Sequence, residues 1–189
     1  MSYLTTRIVK QSFWAAVLFI CTSYTPYSRQ LENSGSELSN GTYEIKLTGD
    51  FNSKLKGKIY FETATETSSN GTSYATLKLD LRNKEKDFQH SMGFLVSKQG
   101  ESKKIALGRY KVAKDIDGFL NYFDGVFGFA NVKRMGELPF FADKGVLAIT
   151  YLDKHTMSGN IKVNLKNSKG QRVYMSGNFI ALKQKQESK

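Results

Sequence analysis

The sequence offers few side chains that could perform catalysis or bind a metal ion. It contains two histidines, His90 and His155, and a single cysteine, Cys21. Neither histidine has a second histidine or a carboxylate at the spacing of a metal site or a catalytic triad. We therefore interpret both as ordinary surface or partly packed histidines. Because there is only one cysteine, an intramolecular disulfide and a cysteine-based metal cluster are excluded.

An acidic turn, Asp115–Gly118, comes nearest to a metal-binding motif. A calcium loop needs a third ligand before the glycine and a closing glutamate, and this segment lacks both. It is better interpreted as a polar turn before a strand. The sequence also lacks a P-loop, a dinucleotide-binding fingerprint and a nucleophile elbow. It therefore predicts no catalytic residue, no metal site and no cofactor, and it favours a protein that is not an enzyme.

Aromatic residues and glycines are concentrated between residues 119 and 141. Aromatic rings beside glycines can line a slot for a small hydrophobic ligand or form a platform for a carbohydrate. The same pattern is typical of a β-sandwich core, and the alternation of Phe127 and Phe129 about Gly128 favours core packing. The candidate ligand-binding residues are Phe119, Tyr122, Phe123, Phe127 and Phe129.

Basic residues recur at alternate positions and outnumber acidic ones, 28 to 17, giving a net charge of +11. Alternate residues of a strand share a face, so these side chains would form an electropositive surface that attracts anionic lipid or envelope polysaccharide. A lysine-rich face that is merely solvated and discourages edge pairing is the alternative. Lysine heavily outnumbers arginine, which argues against specific reading of nucleic-acid phosphates. The candidate basic face comprises Lys54, Lys56, Lys58, Arg82, Lys84 and Lys86.

The elements that must position these residues are β-strands. From residue 41 onward apolar and polar residues alternate, most clearly in 76–82 and 161–166, and strict alternation places the apolar side chains on one face of a strand. No window beyond the N-terminus shows an amphipathic helical pattern. The sequence therefore predicts an all-β fold, an antiparallel β-sandwich or barrel of about 9–11 strands, preceded by an N-terminal signal helix.

Two hairpins can be predicted in more detail. In the C-terminal one, pairing Leu165 with Val173 brings Gly159 opposite Phe179 and places every apolar residue on one face. Its loop is then Ser168–Gly170, with glycine at the position that needs a positive φ. Asn70-Gly71 predicts a second hairpin, between strands near 55–65 and 73–82.

The N-terminus has the three regions of a secretory signal: a basic segment, a short apolar run and a polar exit. The apolar run, 13–21, is shorter than the roughly 20 residues that span a bilayer. An amphipathic or buried N-terminal helix is the alternative. We expect a signal peptide at 1–21, a flexible tether at 22–40, a single all-β domain at 41–183 and a disordered tail at 184–189.

Cys21 lies at the end of the apolar run, where a bacterial lipoprotein carries its acylated cysteine. Leu18 matches the usual aliphatic position of that motif, whereas Ile20 is larger than the residue that normally precedes the cysteine. Cys21 is therefore the candidate lipid-attachment residue, and ordinary cleavage after Ser23 or Ser28 is the alternative. The protein would be exported to the periplasm or the outer membrane, with membrane contact only through an N-terminal lipid.

The C-terminal part of the chain resembles small exported proteins, often lipoproteins, of Bacteroidota-type bacteria. The likeness rests on 145–153, followed by the two Ser-Gly-Asn strands at 158–161 and 176–179. Similar segments occur earlier, at 47–51, 55–61 and 107–110, so the likeness spans most of 43–181. It implies a β-sandwich-like domain at the cell envelope and implies no reaction.

Three hypotheses follow for the function. The first is a non-enzymatic structural or interaction module of the cell envelope with a basic face. The second is a β-barrel or sandwich that binds a small hydrophobic ligand or a carbohydrate through the 119–141 aromatics. The third is an enzyme, for which the sequence nominates no residue. The sequence leaves the oligomeric state open.

Overall fold

The computed structural model describes residues 38–85, 89–100, 104–113 and 123–184. This part of the chain is all-β, as predicted, and contains nine strands and one short 3-10 helix, Lys133–Met135. The signal peptide, most of the tether and residues 185–189 lie outside the described residues. The strands are β1 Thr42–Gly49, β2 Ser53–Thr67, β3 Ser73–Asn83, β4 His90–Gln99, β5 Gly108–Lys111, β6 Gly125–Val132, β7 Phe140–Leu152, β8 Thr156–Lys166 and β9 Arg172–Lys183.

Eight of the strands close into an antiparallel barrel, in the order β1-β2-β3-β4-β6-β7-β8-β9 and back to β1. The choice between sandwich and barrel is thereby decided in favour of a barrel. Strand β6 pairs with β7 only through Phe129 and Ala130. Farther along the gap between these two strands, β7 pairs with β5, and Val112, the residue directly after β5, forms a bridge with Val126 of β6. The short β5 thus lies between β6 and β7 where these two strands do not pair directly.

The barrel interior is filled by the apolar residues of the alternating pattern. In β3, for example, Leu77, Leu79 and Leu81 are fully buried while Lys78 is exposed. Eight strands enclose a space that side chains can fill, and one continuous hydrophobic cluster occupies it. The largest fully buried side chains are Tyr43, Phe61, Phe94, Phe140 and Phe179. Within the described ranges no helix has the length and hydropathy of a membrane span.

The C-terminal hairpin has the predicted register. Leu165 pairs with Val173 and Gly159 pairs with Phe179. Gly170 has φ +82° in the turn, as its position in the loop requires. A β-carbon at Gly159 would lie 2.8 Å from Cζ of Phe179, so the ring covers the glycine as expected.

The Asn70-Gly71 hairpin is also confirmed. It joins β2 to β3, and Gly71 has φ +81°. The Asn70 side chain stabilises the turn by accepting a hydrogen bond from the backbone N–H of Thr72 at 3.2 Å. Both strands are somewhat longer than their apolar patterns suggest.

Candidate binding surfaces

His90 lies inside the barrel and is 4% exposed. Its Nε2 atom is hydrogen-bonded to the hydroxyl of Tyr43, which reaches it from β1. Gly57 on β2, one of the two strands between β1 and β4, leaves the space for this contact, because a β-carbon there would lie 2.7 Å from the Tyr43 hydroxyl oxygen. Burial raises the pKa of Tyr43, so its hydroxyl keeps its proton. This buried pair links β1 to β4.

His155 lies in the exposed turn between β7 and β8. The carboxylate of Asp153 organises this turn by accepting hydrogen bonds from the backbone N–H groups of His155, at 2.7 Å, and Thr156, at 2.6 Å. The hydroxyl of Tyr151 donates to the same carboxylate and lowers its pKa. No group of three or more potential metal ligands occurs among the described residues. The Asp115–Gly118 turn lies outside them.

Six cations lie on the outer surface of β1, β2 and the end of β3. They are all exposed because they alternate with the buried residues of the core. We call this surface the basic face and define it as Lys46, Lys54, Lys56, Lys58, Arg82 and Lys84. Five of these residues were predicted, Lys46 was not, and the predicted Lys86 lies outside the described residues.

Only two of the six cations form ion pairs with described residues. Lys56 Nζ lies 3.2 Å from Glu44 Oε2, and Arg82 pairs with Asp80 on its own strand. Lys46, Lys54, Lys58 and Lys84 have no carboxylate within ion-pair distance in the part of the chain that the structure covers. No described carboxylate therefore neutralises these four charges.

The strand register places like charges directly opposite each other on the basic face. Lys46 faces Lys54 across β1 and β2, and Lys58 faces Arg82 across β2 and β3. Directly opposed like charges destabilise a sheet. A face selected only for solubility would gain stability from mixed charges at these positions. The concentration of positive charge here therefore carries a cost in stability.

Three of the five aromatic candidates, Phe123, Phe127 and Phe129, lie among the described residues. Val126, Gly128 and Ala130 face the core from β6, so Phe127 and Phe129 point outward and are half-buried. Their assignment to the core was therefore wrong, although the alternation itself is present. Phe123, directly before β6, is 6% exposed. Phe119 and Tyr122 lie outside the described residues.

Phe127 and Phe129 contribute to a cleft of about 700 Å³ on the outer surface of the barrel, which we call the outer cleft. The ring of Phe129 covers Gly93 on β4. The ring of Phe127 lies 6.1 Å, centroid to centroid, from that of Phe141, which is 45% exposed. Other residues that line the cleft include Glu62, Thr76, Lys78 and Leu95. The cleft is mixed in character, with an aromatic side and a charged side.

Similarity to known proteins assigns a ligand to neither surface. No family model, curated protein or solved structure matches this chain.

Proposed function

We propose that this is an exported cell-envelope protein whose basic face binds anionic groups of the envelope and that it catalyses no reaction. The observation that carries the proposal is the pair of opposed like charges, Lys46 with Lys54 and Lys58 with Arg82. Asp80 partly neutralises Arg82, whereas Lys46 and Lys54 form no ion pair with a described residue. The opposition of Lys46 and Lys54 therefore costs stability in the isolated protein, and an anion that neutralises them provides the reason for keeping them.

The kind of cation indicates the kind of anion. Five of the six residues of the basic face are lysines, whose ammonium groups act as flexible point charges rather than as planar forks. Such groups suit the phosphates of lipid headgroups or the acidic groups of a polysaccharide, where several weak contacts add together. Both sources present the same chemistry, and the experiment below separates them.

The N-terminus of the chain supports a location in the cell envelope. The basic, apolar and polar regions of 1–21 support export, and acylation of Cys21 would hold the protein at a membrane surface. The resemblance to exported proteins of Bacteroidota-type bacteria supports the same location. In that compartment, anionic lipid and acidic polysaccharide are accessible and nucleic acid is not an expected partner.

The proposal is tested by co-sedimentation with vesicles and by retention on an acidic polysaccharide. At 50 mM salt we expect the protein to bind phosphatidylglycerol vesicles, immobilised alginate or both, and not phosphatidylcholine vesicles or neutral agarose. At 500 mM salt the bound protein should be released, because salt screens contacts between exposed charges. If neither anionic probe retained the protein at 50 mM salt, the proposed function would be wrong.

A second candidate, binding of a neutral carbohydrate, is favoured by the outward rings of the outer cleft. Aromatic faces beside polar groups suit the mixed surface of a sugar. Affinity electrophoresis in gels containing xylan, laminarin or starch should then retard the native protein, and Phe127→Ala should abolish the retardation. Tyr174→Ala, which truncates an exposed ring on β9, serves as the control. Unchanged mobility of the native protein in all three gels would eliminate these carbohydrates.

A further inference from the structure

Strand β2 extends beyond β1 and β9 at one end of the barrel. Its first part pairs with β1 as far as Lys58, and β9 then pairs with it in parallel at Tyr60 and Phe61. From Glu62 to Thr67 it pairs with β3 on one side. On the other side of Thr63–Thr65 the described residues contain no strand, so within the described part of the chain this stretch of β2 is an edge.

The hydrogen bonds of β2 show which backbone groups face this edge. The N–H of Gln184 donates to the carbonyl of Phe61 at 2.9 Å, so the backbone groups of Phe61 point away from β3. Because that direction alternates along an antiparallel strand, the N–H and C=O groups of Thr63 and Thr65 point the same way. Both residues are exposed. They present two donors and two acceptors with no backbone partner among the described residues.

Residues 63–65 of this edge, which lie between Glu62 and Glu66, lack the usual protection against strand pairing. Natural edges are blocked by lysine, proline or a bulge, or are covered. Residues 63–65 are Thr-Ala-Thr, with no charge or proline, and the β2–β3 register runs through them without a bulge. The β-branched threonines favour an extended backbone. The segment is therefore ready to accept another strand.

The edge forms part of a cleft of about 680 Å³ at the end of the barrel, which we call the edge cleft. Its apolar part includes Phe61, Ile105 and Leu152. Three exposed lysines, Lys104, Lys154 and Lys183, contribute positive charge. The carboxylate of Asp153 also lines the cleft, but it is already hydrogen-bonded within the β7–β8 turn. An occupant therefore meets free backbone groups, an apolar surface and an excess of cations.

We propose that the edge of β2 at Thr63–Thr65 binds an extended acidic peptide, which adds a strand to the sheet. Strand addition obtains its affinity from main-chain hydrogen bonds and its specificity from alternate side chains. The lysines select acidic side chains, and the apolar part of the cleft accepts the residues between them. This inference goes beyond the proposed function because it uses none of the residues of the basic face.

Proline at the edge tests the proposal directly. Thr63→Pro removes the outward N–H and leaves the β3 ladder intact, and proline is tolerated on the open side of an edge strand. Thr63→Val keeps the backbone donor and removes only the hydroxyl. The probe is a labelled octapeptide of alternating Glu and Val, with a Lys-Val octapeptide as the charge control.

We expect the Glu-Val peptide to bind the native protein and to slow hydrogen exchange at the amides of Thr63 and Thr65. Thr63→Pro should weaken binding about 10-fold, as expected for the loss of a main-chain hydrogen bond in the complex. Thr63→Val should bind as the native protein does, and the Lys-Val peptide should not bind. If Thr63→Pro fails to fold, Thr65→Pro takes its place with the same expected result.

Three results would overturn the proposal. The first is no binding of the Glu-Val peptide at millimolar concentration. The second is binding that Lys104→Gln/Lys154→Gln/Lys183→Gln abolishes while Thr63→Pro leaves it unchanged, which would mean charge attraction without strand addition. The third is a dimer of the native protein that Thr63→Pro dissociates, which would assign the edge to a second copy of this chain.

Discussion

Replacing Gly159 by alanine is expected to lower the free energy of unfolding by about 3 kcal/mol or more, at the upper end of overpacking effects. The added β-carbon would lie 2.8 Å from Cζ of Phe179 and still closer to the carbonyl oxygen of Ala148. The ring could turn aside, but the carbonyl cannot, because β7 is paired with β8 on one side and with β5 on the other.

Urea denaturation measures this effect, with Gly71→Ala as the matched control. Gly71→Ala also adds one methyl group, but a β-carbon there has no neighbour within 4 Å. The only cost at this position is the backbone strain of an alanine at φ +81°. That strain costs roughly 1 kcal/mol. If Gly159→Ala cost no more than Gly71→Ala, β7 and β8 would not approach each other as closely as the structure shows.

Neutralising three lysines of the basic face is expected to weaken binding to anionic vesicles on the order of 100-fold, at about 1 kcal/mol for each lysine near the surface. The variant is Lys46→Gln/Lys54→Gln/Lys58→Gln. These residues form no ion pair with other described residues, so their removal breaks no internal contact of that kind. The stability of the protein should stay the same or rise, since the opposition of Lys46 and Lys54 is relieved.

The control removes the same charge from other parts of the barrel. Lys98→Gln/Lys133→Gln/Lys144→Gln changes three exposed lysines on β4, in the 3-10 helix and on β7. Its affinity should fall by much less than that of the basic-face variant, because only the general field of the protein is reduced. Equal losses in the two variants would mean that net charge, and not the basic face, governs binding.

The C-terminal hairpin could be predicted from the sequence because its determinants are local. The apolar period, the short loop and the glycine at position 170 together allow one register. A slip by one residue would turn Val173, Met175 and Phe179 outward. Phe179 opposite Gly159 follows from that register and was found.

Closure of the barrel could not be predicted, because it depends on pairs far apart in the chain. The β1–β9 ladder joins Thr42 to Ile180, and no local pattern specifies it. Strand β6 shows a second difficulty. Both its faces carry apolar residues, so alternation alone could not tell whether Phe127 or Val126 faces the core.

In the candidate sites too, residues that share a strand could be predicted together, and residues that meet only through strand pairing could not. Lys54, Lys56 and Lys58 share one strand, and their spacing was visible in the sequence. Lys46 joins them only through the β1–β2 register, although it alternates with buried residues in its own strand. The contact of Tyr43 with His90 spans 47 positions and passes over Gly57, so neither residue alone predicts the other.

The most direct test of the basic face is the salt dependence of vesicle binding, measured side by side for the native protein and the Lys46→Gln/Lys54→Gln/Lys58→Gln variant. Binding that depends on these charges weakens steeply as salt screens them. We predict that the affinity of the native protein for phosphatidylglycerol vesicles falls steeply between 50 and 500 mM salt and that the affinity of the variant starts lower and falls less. Equal affinities and equal salt dependence for the two proteins would contradict the proposed role of the basic face.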